Sequence, residues 1–217
     1  MVQQERARVT RDKIMFGAAD VIRRVGYAAA TLGEIGEAAG VTKGALYFHF
    51  ASKEEIARAL IEEQHSSTRA AAVEIIESGG PAVELMMRLC ADLAVRLVDD
   101  PIVRAGITLT TDTSTLDTPL QDPYRDWMGT FEELASQAER AGETKTRVKP
   151  DALARFIIPA FTGVQLVSET FSERKDLLER VHEMWQVLLA AIVAPDALDD
   201  WLAVAESVFT APQSSTV

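Results

Sequence analysis

Only one cysteine, Cys90, occurs among 217 residues. A single thiol cannot close an internal disulfide, which excludes a disulfide-stapled scaffold and fits a reducing compartment. Its neighbours Leu89 and Ala91 are apolar, so a packed thiol is expected rather than a reactive one. Histidine is scarce too, with His49, His65 and His182 only. Neither His-x-x-x-His nor Cys-x-x-Cys spacing exists, so no metal site is expected. There is no G-x-S-x-G elbow and no phosphate loop. Glu62-Glu63 and Glu132-Glu133 are adjacent acids, but neighbours along a helix point in different directions, so these pairs read as solvated faces. Neither an enzyme nor a cofactor is expected. No run of about 18 apolar residues exists, so no membrane span is expected. The stretch MVQQERAR lacks the apolar core of a secretion signal. A cytoplasmic protein is the expectation.

What is present is ordinary in amount and uneven in placement. The chain is 47% hydrophobic and 25% charged, as a globular protein is. Its net charge is −11, yet residues 1–53 hold 8 Lys+Arg against 5 Asp+Glu, a local charge of +3, and the remainder carries −14. A basic head on an acidic body points to a polyanionic partner for the head alone.

Almost the whole chain reads as helix. Ile14, Ala18, Val21, Ile22 and Val25 share one helix face, and Gly26 follows as a stop. Thr31 can cap a short helix to Ala39, ended by Gly40, and Thr42 a second one to about His49. Ser52 and Glu55 have capping-box spacing for a long helix to about Glu77, stopped by Ser78-Gly79-Gly80-Pro81. Further helices are predicted at 82–99, 102–111, 122–141, 151–170, 175–193 and 197–210. They are separated by Pro101, the polar run Thr110–Thr118 with Pro119, the run Gly142–Lys149 with Pro150, Ser172-Glu173, and Pro195. Residues Pro212 to Val217 are expected to fray.

Residues 40–53, G-V-T-K-G-A-L-Y-F-H-F-A-S-K, join two short helices through a tight turn at Gly40-Val41. A preceding amphipathic helix can pack across both, which is a helix-turn-helix arrangement. In such a unit the second helix enters the DNA major groove N-terminus first. Thr42 and Lys43 then reach phosphates or base edges, and the small Gly44 and Ala45 permit close approach. Tyr47 and His49 sit at the groove edge, where they can bond phosphate oxygens. Lys53 opens the next helix, where a phosphate is also favoured. Leu46 and Phe50 face inward.

As a set, T-L-x-x-I-x-x-A-A-G-V-T-K-G-A-L-Y-F-H-F-x-S-K-E resembles the DNA-binding signature of the TetR family of transcriptional regulators, over about residues 8–60. One departure is Gly36, where the family usually has alanine; it weakens the helix by about 1 kcal/mol. The resemblance implies an all-α fold. A three-helix DNA-binding domain at 1–52 would precede a larger helical ligand-binding and dimerisation domain at 53–217. It also implies a homodimer on a near-palindromic operator, with Arg8, Arg11 and Thr31 joining the residues above at the DNA. The helices near 151–170 and 175–193 would pair with their copies as a four-helix bundle. Their apolar stripes are Leu153, Phe156, Ile157, Ala160 and Val164, and Leu177, Leu178, Val181, Trp185, Leu188 and Ile192. The same stripes could instead bury each monomer's own core.

The segments L-Y-F-H-F-A-S-K-E-E-I-A-R-A-L-I-E-E-Q, P-I-V-R-A-G-I-T-L, D-P-Y-R-D-W and E-M-W look like the γ-butyrolactone receptors of Streptomyces and related actinomycetes. That resemblance implies a small hydrophobic lactone-type ligand and places Trp127 in its pocket. Gln64, Thr108, Thr130, Thr162 and Gln165 are candidate polar partners, because Thr and Gln donate and accept without a buried charge. Val103, Ile107, Phe131 and Phe161 could form the apolar wall. Two other readings remain open from sequence: a TetR-type regulator of another apolar compound, and an orphan receptor-like regulator.

Overall fold

The computed structural model describes residues 2–111 and 122–210, with side chains from residue 4 onward. Most of the polar separator expected at Thr110–Thr118 with Pro119, and the tail Pro212–Val217, lie outside the described residues. Among the described residues there are ten α-helices, one 3₁₀ turn and no strand. The chain forms two compact units, Met1–Arg69 with Asp99–Leu120, and Ala70–Val98 with Gln121–Val217.

The first unit contains α1 (Val2–Ala29), α2 (Leu32–Ala38), α3 (Lys43–His49), the first part of α4 (Lys53–Glu77) and α6 (Pro101–Thr111). Its helix starts follow from local chemistry. Thr31 caps α2 in a complete capping box with Glu34, whose carboxylate accepts from the Thr31 N–H at 2.9 Å. The Thr42 hydroxyl accepts from the Ala45 N–H at the start of α3. At α4 the box is offset: Ser52 accepts from the Glu55 N–H, but the Glu55 carboxylate takes the N–H of Ala51, not of Ser52. Asp100 caps α6 by accepting from the N–H groups of Ile102 and Val103, with Pro101 in the first turn, where its missing donor costs nothing.

Gly26 leaves the helical region (φ 78, ψ 160), so the predicted stop is a kink and Tyr27–Ala29 add one more turn. Val25, just before the kink, is 44% exposed instead of joining the inner face. Ile14, Ala18, Val21 and Ile22 do form that face. They pack in one core with Ile35, Leu46, Phe50, Ile56, Leu60, Ile102, Ala105 and Leu109. Thus α6, about 50 residues downstream of the short helices, is built into the same core as they are.

Two glycines set close approaches in this unit. A Cβ on Gly17 would lie 2.7 Å from the backbone nitrogen of Ala39, so α1 and the end of α2 meet there. A Cβ on Gly106 would lie 2.4 Å from the Cβ of Gln64 and 2.9 Å from the Leu60 carbonyl oxygen, so α6 and α4 touch backbone to backbone. Gly36 differs. A Cβ there meets only the Leu46 side chain at 3.4 Å and the Val41 oxygen at 3.8 Å, which are ordinary contacts. Gly36→Ala is therefore expected to raise stability by about 0.5–1 kcal/mol, read as a higher thermal midpoint. A lower midpoint would show that Leu46 cannot give way.

The second unit contains the rest of α4, α5 (Ala82–Asp99), α7 (Asp122–Ala141), α8 (Pro150–Ser172), α9 (Leu177–Ile192), the 3₁₀ turn Pro195–Ala197 and α10 (Leu198–Thr210). α7 packs on α8, α8 on α9, and α9 on α10. The Glu143 carboxylate accepts from the N–H groups of Ala82 and Val83, pinning the segment after α7 to the start of α5. Cys90 is buried, and desolvation pushes its thiol up to about 12, so it packs as a neutral group.

The structure divides the two stripes that the sequence left undivided. Leu153 and Ile157 of α8, and Leu177, Val181, Trp185 and Ile192 of α9, are buried within the unit. The outward face of α8 carries Phe156, 60% exposed, with Ala160, Val164 and Val167. On α9 the outward face is not the predicted stripe but Arg180, Glu183, Met184 and Val187, the last 73% exposed. Between them lies an open groove of about 540 Å³, floored by Pro159, Ala160 and Gly163.

Candidate functional site

α3 is a seven-residue helix held from inside by Leu46 and Phe50, each 2% exposed. Its other face is turned to solvent. Thr42, Lys43 and Gly44 are exposed at its start, and no atom stands where a Gly44 Cβ would be. Ala45 is half-buried. Tyr47 is 48% exposed, with the Lys43 ammonium 5.9 Å from its ring centre. His49 is half-buried, and its ring meets Phe48 edge-on at 5.1 Å.

Phe48 is 80% exposed, the most exposed large apolar side chain among the described residues, and sequence reasoning passed over it. The signal was available. Leu46 and Phe50 are four apart and share the inner face of a helix, so Phe48, halfway between them, must point outward.

The remaining residues expected at the same surface are engaged in different ways. Arg8 is exposed and paired with Glu5 and Asp12. Arg11 lies over the Phe50 ring at 5.4 Å and donates to the Met15 sulfur, so its side chain braces α3 against α1. The Thr31 hydroxyl is bound into its capping box. Lys53 is held by backbone carbonyls. Its ammonium donates to the carbonyls of Tyr27, Ala28 and Ala30 at 2.8, 3.1 and 2.9 Å and sits 4.5 Å from the Tyr27 ring. All three donors close on the end of α1, so Lys53 ties α4 to α1 in the free protein. Lys53→Met is expected to cost about 1–3 kcal/mol of stability. In DNA binding by the folded variant, an unchanged salt slope is expected if the tie to α1 is its whole role, and a slope reduced by about one if it also meets a phosphate.

The residues expected to meet a small molecule fall in both units. In the first, Val103 is fully buried, Ile107 half-buried and Thr108 exposed. Gln64 is 2% exposed, and its amide donates to the Thr68 hydroxyl, which in turn donates to the Gln64 carbonyl. In the second unit, Phe131 of α7 and Phe161 of α8 are buried, and Trp127 is half-buried. The Thr130 hydroxyl donates to the Asp126 carbonyl and the Thr162 hydroxyl to the Ile158 carbonyl, so each offers only lone pairs elsewhere. Gln165 is 1% exposed, and its side-chain oxygen accepts from the Arg174 guanidinium at 2.8 Å. Among the described residues no cluster of His, Cys, Asp or Glu is placed to hold a metal ion, and no helix is long and apolar enough to cross a membrane.

A braced three-helix head with one short helix turned to solvent is the architecture of a helix-turn-helix DNA-binding regulator. Residues 14–60 match the family described as "Bacterial regulatory proteins, tetR family", and residues 81–194 match "Tetracyclin repressor-like, C-terminal domain". The chain belongs to the TetR family, and it is a transcriptional regulator and not an enzyme. It is 37% identical to the A-factor receptor protein of Streptomyces griseus, over 91% of this chain and 69% of that protein. Among solved structures it is similar to CprB of Streptomyces coelicolor in complex with its operator sequence, with TM-score 0.85, 32% identity, and coverage of 95% of this chain and 100% of that one. It is also similar to a γ-butyrolactone receptor described as an ArpA-like protein, with TM-score 0.78, 32% identity, and coverage of 94% and 97%.

Proposed function

We propose that the protein is a dimeric repressor that is released from its operator by a small lactone-type signal and controls antibiotic or other secondary-metabolite genes. Support for the DNA half comes from α3, whose outward face presents Thr42, Lys43, Gly44, Tyr47 and Phe48 together. Two such helices, one per subunit, would occupy successive major grooves about 34 Å apart. The apolar groove between α8 and α9, with exposed Phe156 and Val187, fits a second copy of the same face. Support for the ligand half comes from the likeness to proteins described as receptors for A-factor and γ-butyrolactones. Within the second unit, Trp127 with Phe131 and Phe161 would supply the apolar wall, and Thr130, Thr162 and Gln165 the polar contacts. Val103, Ile107 and Thr108 lie on α6.

The single observation that carries the coupling is the placement of α6. Ile102, Ala105 and Leu109 belong to the core that holds α1, α3 and α4, so a ligand that shifts α6 must also disturb the base of the DNA-reading helix. α4 adds a covalent path, beginning in the head and continuing into the second unit. The ligand can act only by binding the DNA-incompetent arrangement more tightly.

The test is a gel shift on the DNA upstream of the protein's own gene, with and without a panel of alkyl γ-butyrolactones and butenolides. A complex dissolved by one member supports the reading. A complex that none dissolves leaves the regulator and overturns the lactone.

A further inference from the structure

Gln165 is the residue of the second unit's candidate ligand set that a neighbouring side chain fixes as a donor. Arg174 follows α8 in the turn to α9, with φ of 66°, directly after Glu173 with φ of 55°. Both lie in the left-handed region that side chains other than glycine seldom adopt. The turn directs the Arg174 side chain back along α8 into the interior, where the residue is 1% exposed. There its guanidinium pairs with the Glu169 carboxylate at 3.1 Å and donates to the Gln165 side-chain oxygen at 2.8 Å.

A guanidinium has donors and no acceptor. The Gln165 atom facing it must therefore be the oxygen, and the amide cannot flip without setting donor against donor. Its NH₂ group then points away from Arg174. Among the described residues that nitrogen is buried and has no hydrogen-bond partner. A buried donor left unmade is rare in folded proteins and calls for a partner. The other polar candidates of the same unit cannot substitute, because the Thr130 and Thr162 hydroxyls already donate to their own helices.

We propose that Arg174 is a positioning residue that locks Gln165 as a hydrogen-bond donor, so that the effector must present an acceptor oxygen, such as a ring-ester carbonyl, to the Gln165 amide. This rests on Gln165 lining the ligand site, as in the function proposed above. A hydroxyl elsewhere on the ligand would be the natural partner of the Thr130 or Thr162 lone pairs.

The experiment measures dissociation constants of the full-length protein for two probes. One is an alkyl γ-butyrolactone and the other the matching alkyl tetrahydrofuran, in which the carbonyl is a methylene. The wild type is expected to prefer the lactone by about tenfold to a hundredfold, the effect of one buried hydrogen bond whose loss strands a polar group. Gln165→Leu should erase that preference. Arg174→Met should reduce it to about twofold, because the freed amide can turn either way, while Arg174→Lys, which keeps a donor, should retain most of it. A purely structural Arg174 would lower both affinities together and leave their ratio unchanged, which would overturn the proposal even if Arg174→Met were poorly folded, since Gln165→Leu and Arg174→Lys read the same ratio. If the wild type prefers the lactone and Gln165→Leu does too, this assignment fails and the lactone reading survives. If the wild type binds neither probe, both fail.

Discussion

Gly106→Ala is expected to destabilise the protein by about 1–3 kcal/mol and to weaken its grip on DNA. The new methyl carbon would lie 2.4 Å from one carbon of Gln64, 2.8 Å from the next and 2.9 Å from the Leu60 carbonyl oxygen. Neither Gln64 Cβ nor the Leu60 backbone can swing aside, so α6 and α4 must separate. Overpacking of this kind typically costs about 1–3 kcal/mol, and the gain of up to about 1 kcal/mol from replacing glycine in a helix only partly offsets the strain. For a chain of this size that is a fall of several degrees in the thermal midpoint. The same separation disturbs the core shared by Ile102, Ala105, Leu109, Leu46 and Ile56, so operator affinity should fall with it. A variant as stable as the wild type, with unchanged DNA binding, would show that the close approach of α4 and α6 is dispensable.

The outward face of α3 is expected to divide its contribution to DNA affinity into two physically distinct parts. Lys43 is exposed at the helix start. Lys43→Ala should weaken binding to all sequences alike and reduce the slope of log affinity against log salt by about one for each phosphate it no longer neutralises. Phe48 carries no charge and is 80% exposed in the free protein. Its ring would gain from leaving water against base edges or sugars, an effect of about 1.5–3 kcal/mol for full burial. Phe48→Ala should therefore lower affinity by roughly tenfold or more per subunit, with the salt slope unchanged. Since each operator would meet two copies, the loss for a dimer would be about the square of that for one. Salt titrations of both variants by fluorescence anisotropy separate these effects. A Phe48→Ala protein that binds like the wild type would remove the ring from the interface.

Much of this was legible in the sequence because the signals were local. Thr31, Thr42, Pro101 and Pro150 mark helix starts by satisfying, or not needing, free backbone donors, and the helices begin there. Inward and outward positions on α3 follow from spacing alone, Phe48 included. What the sequence did not disclose depends on partners distant along the chain. That Lys53 also binds the carbonyls of Tyr27, Ala28 and Ala30 cannot be read from its own neighbours in sequence. The apolar stripe of α9 could face its own core or a second copy, and only packing assigns Val181 and Trp185 to the interior and Val187 to the outside. Gln165 was one more polar residue on a helix until Arg174, nine positions on, fixed its orientation. The membership of α6 in the head core is of the same kind. Its periodic apolar residues mark a buried face but do not name what buries it.

The central claim is that ligand and operator compete through the shape of one protein. Its most direct test is the affinity of the releasing lactone measured twice, by calorimetry, on the free protein and on the protein saturated with operator DNA. The account predicts weaker lactone binding to the operator complex, by about 5–150-fold, matched by an equal loss of operator affinity when lactone is saturating. Equal lactone affinity in the two titrations would contradict it.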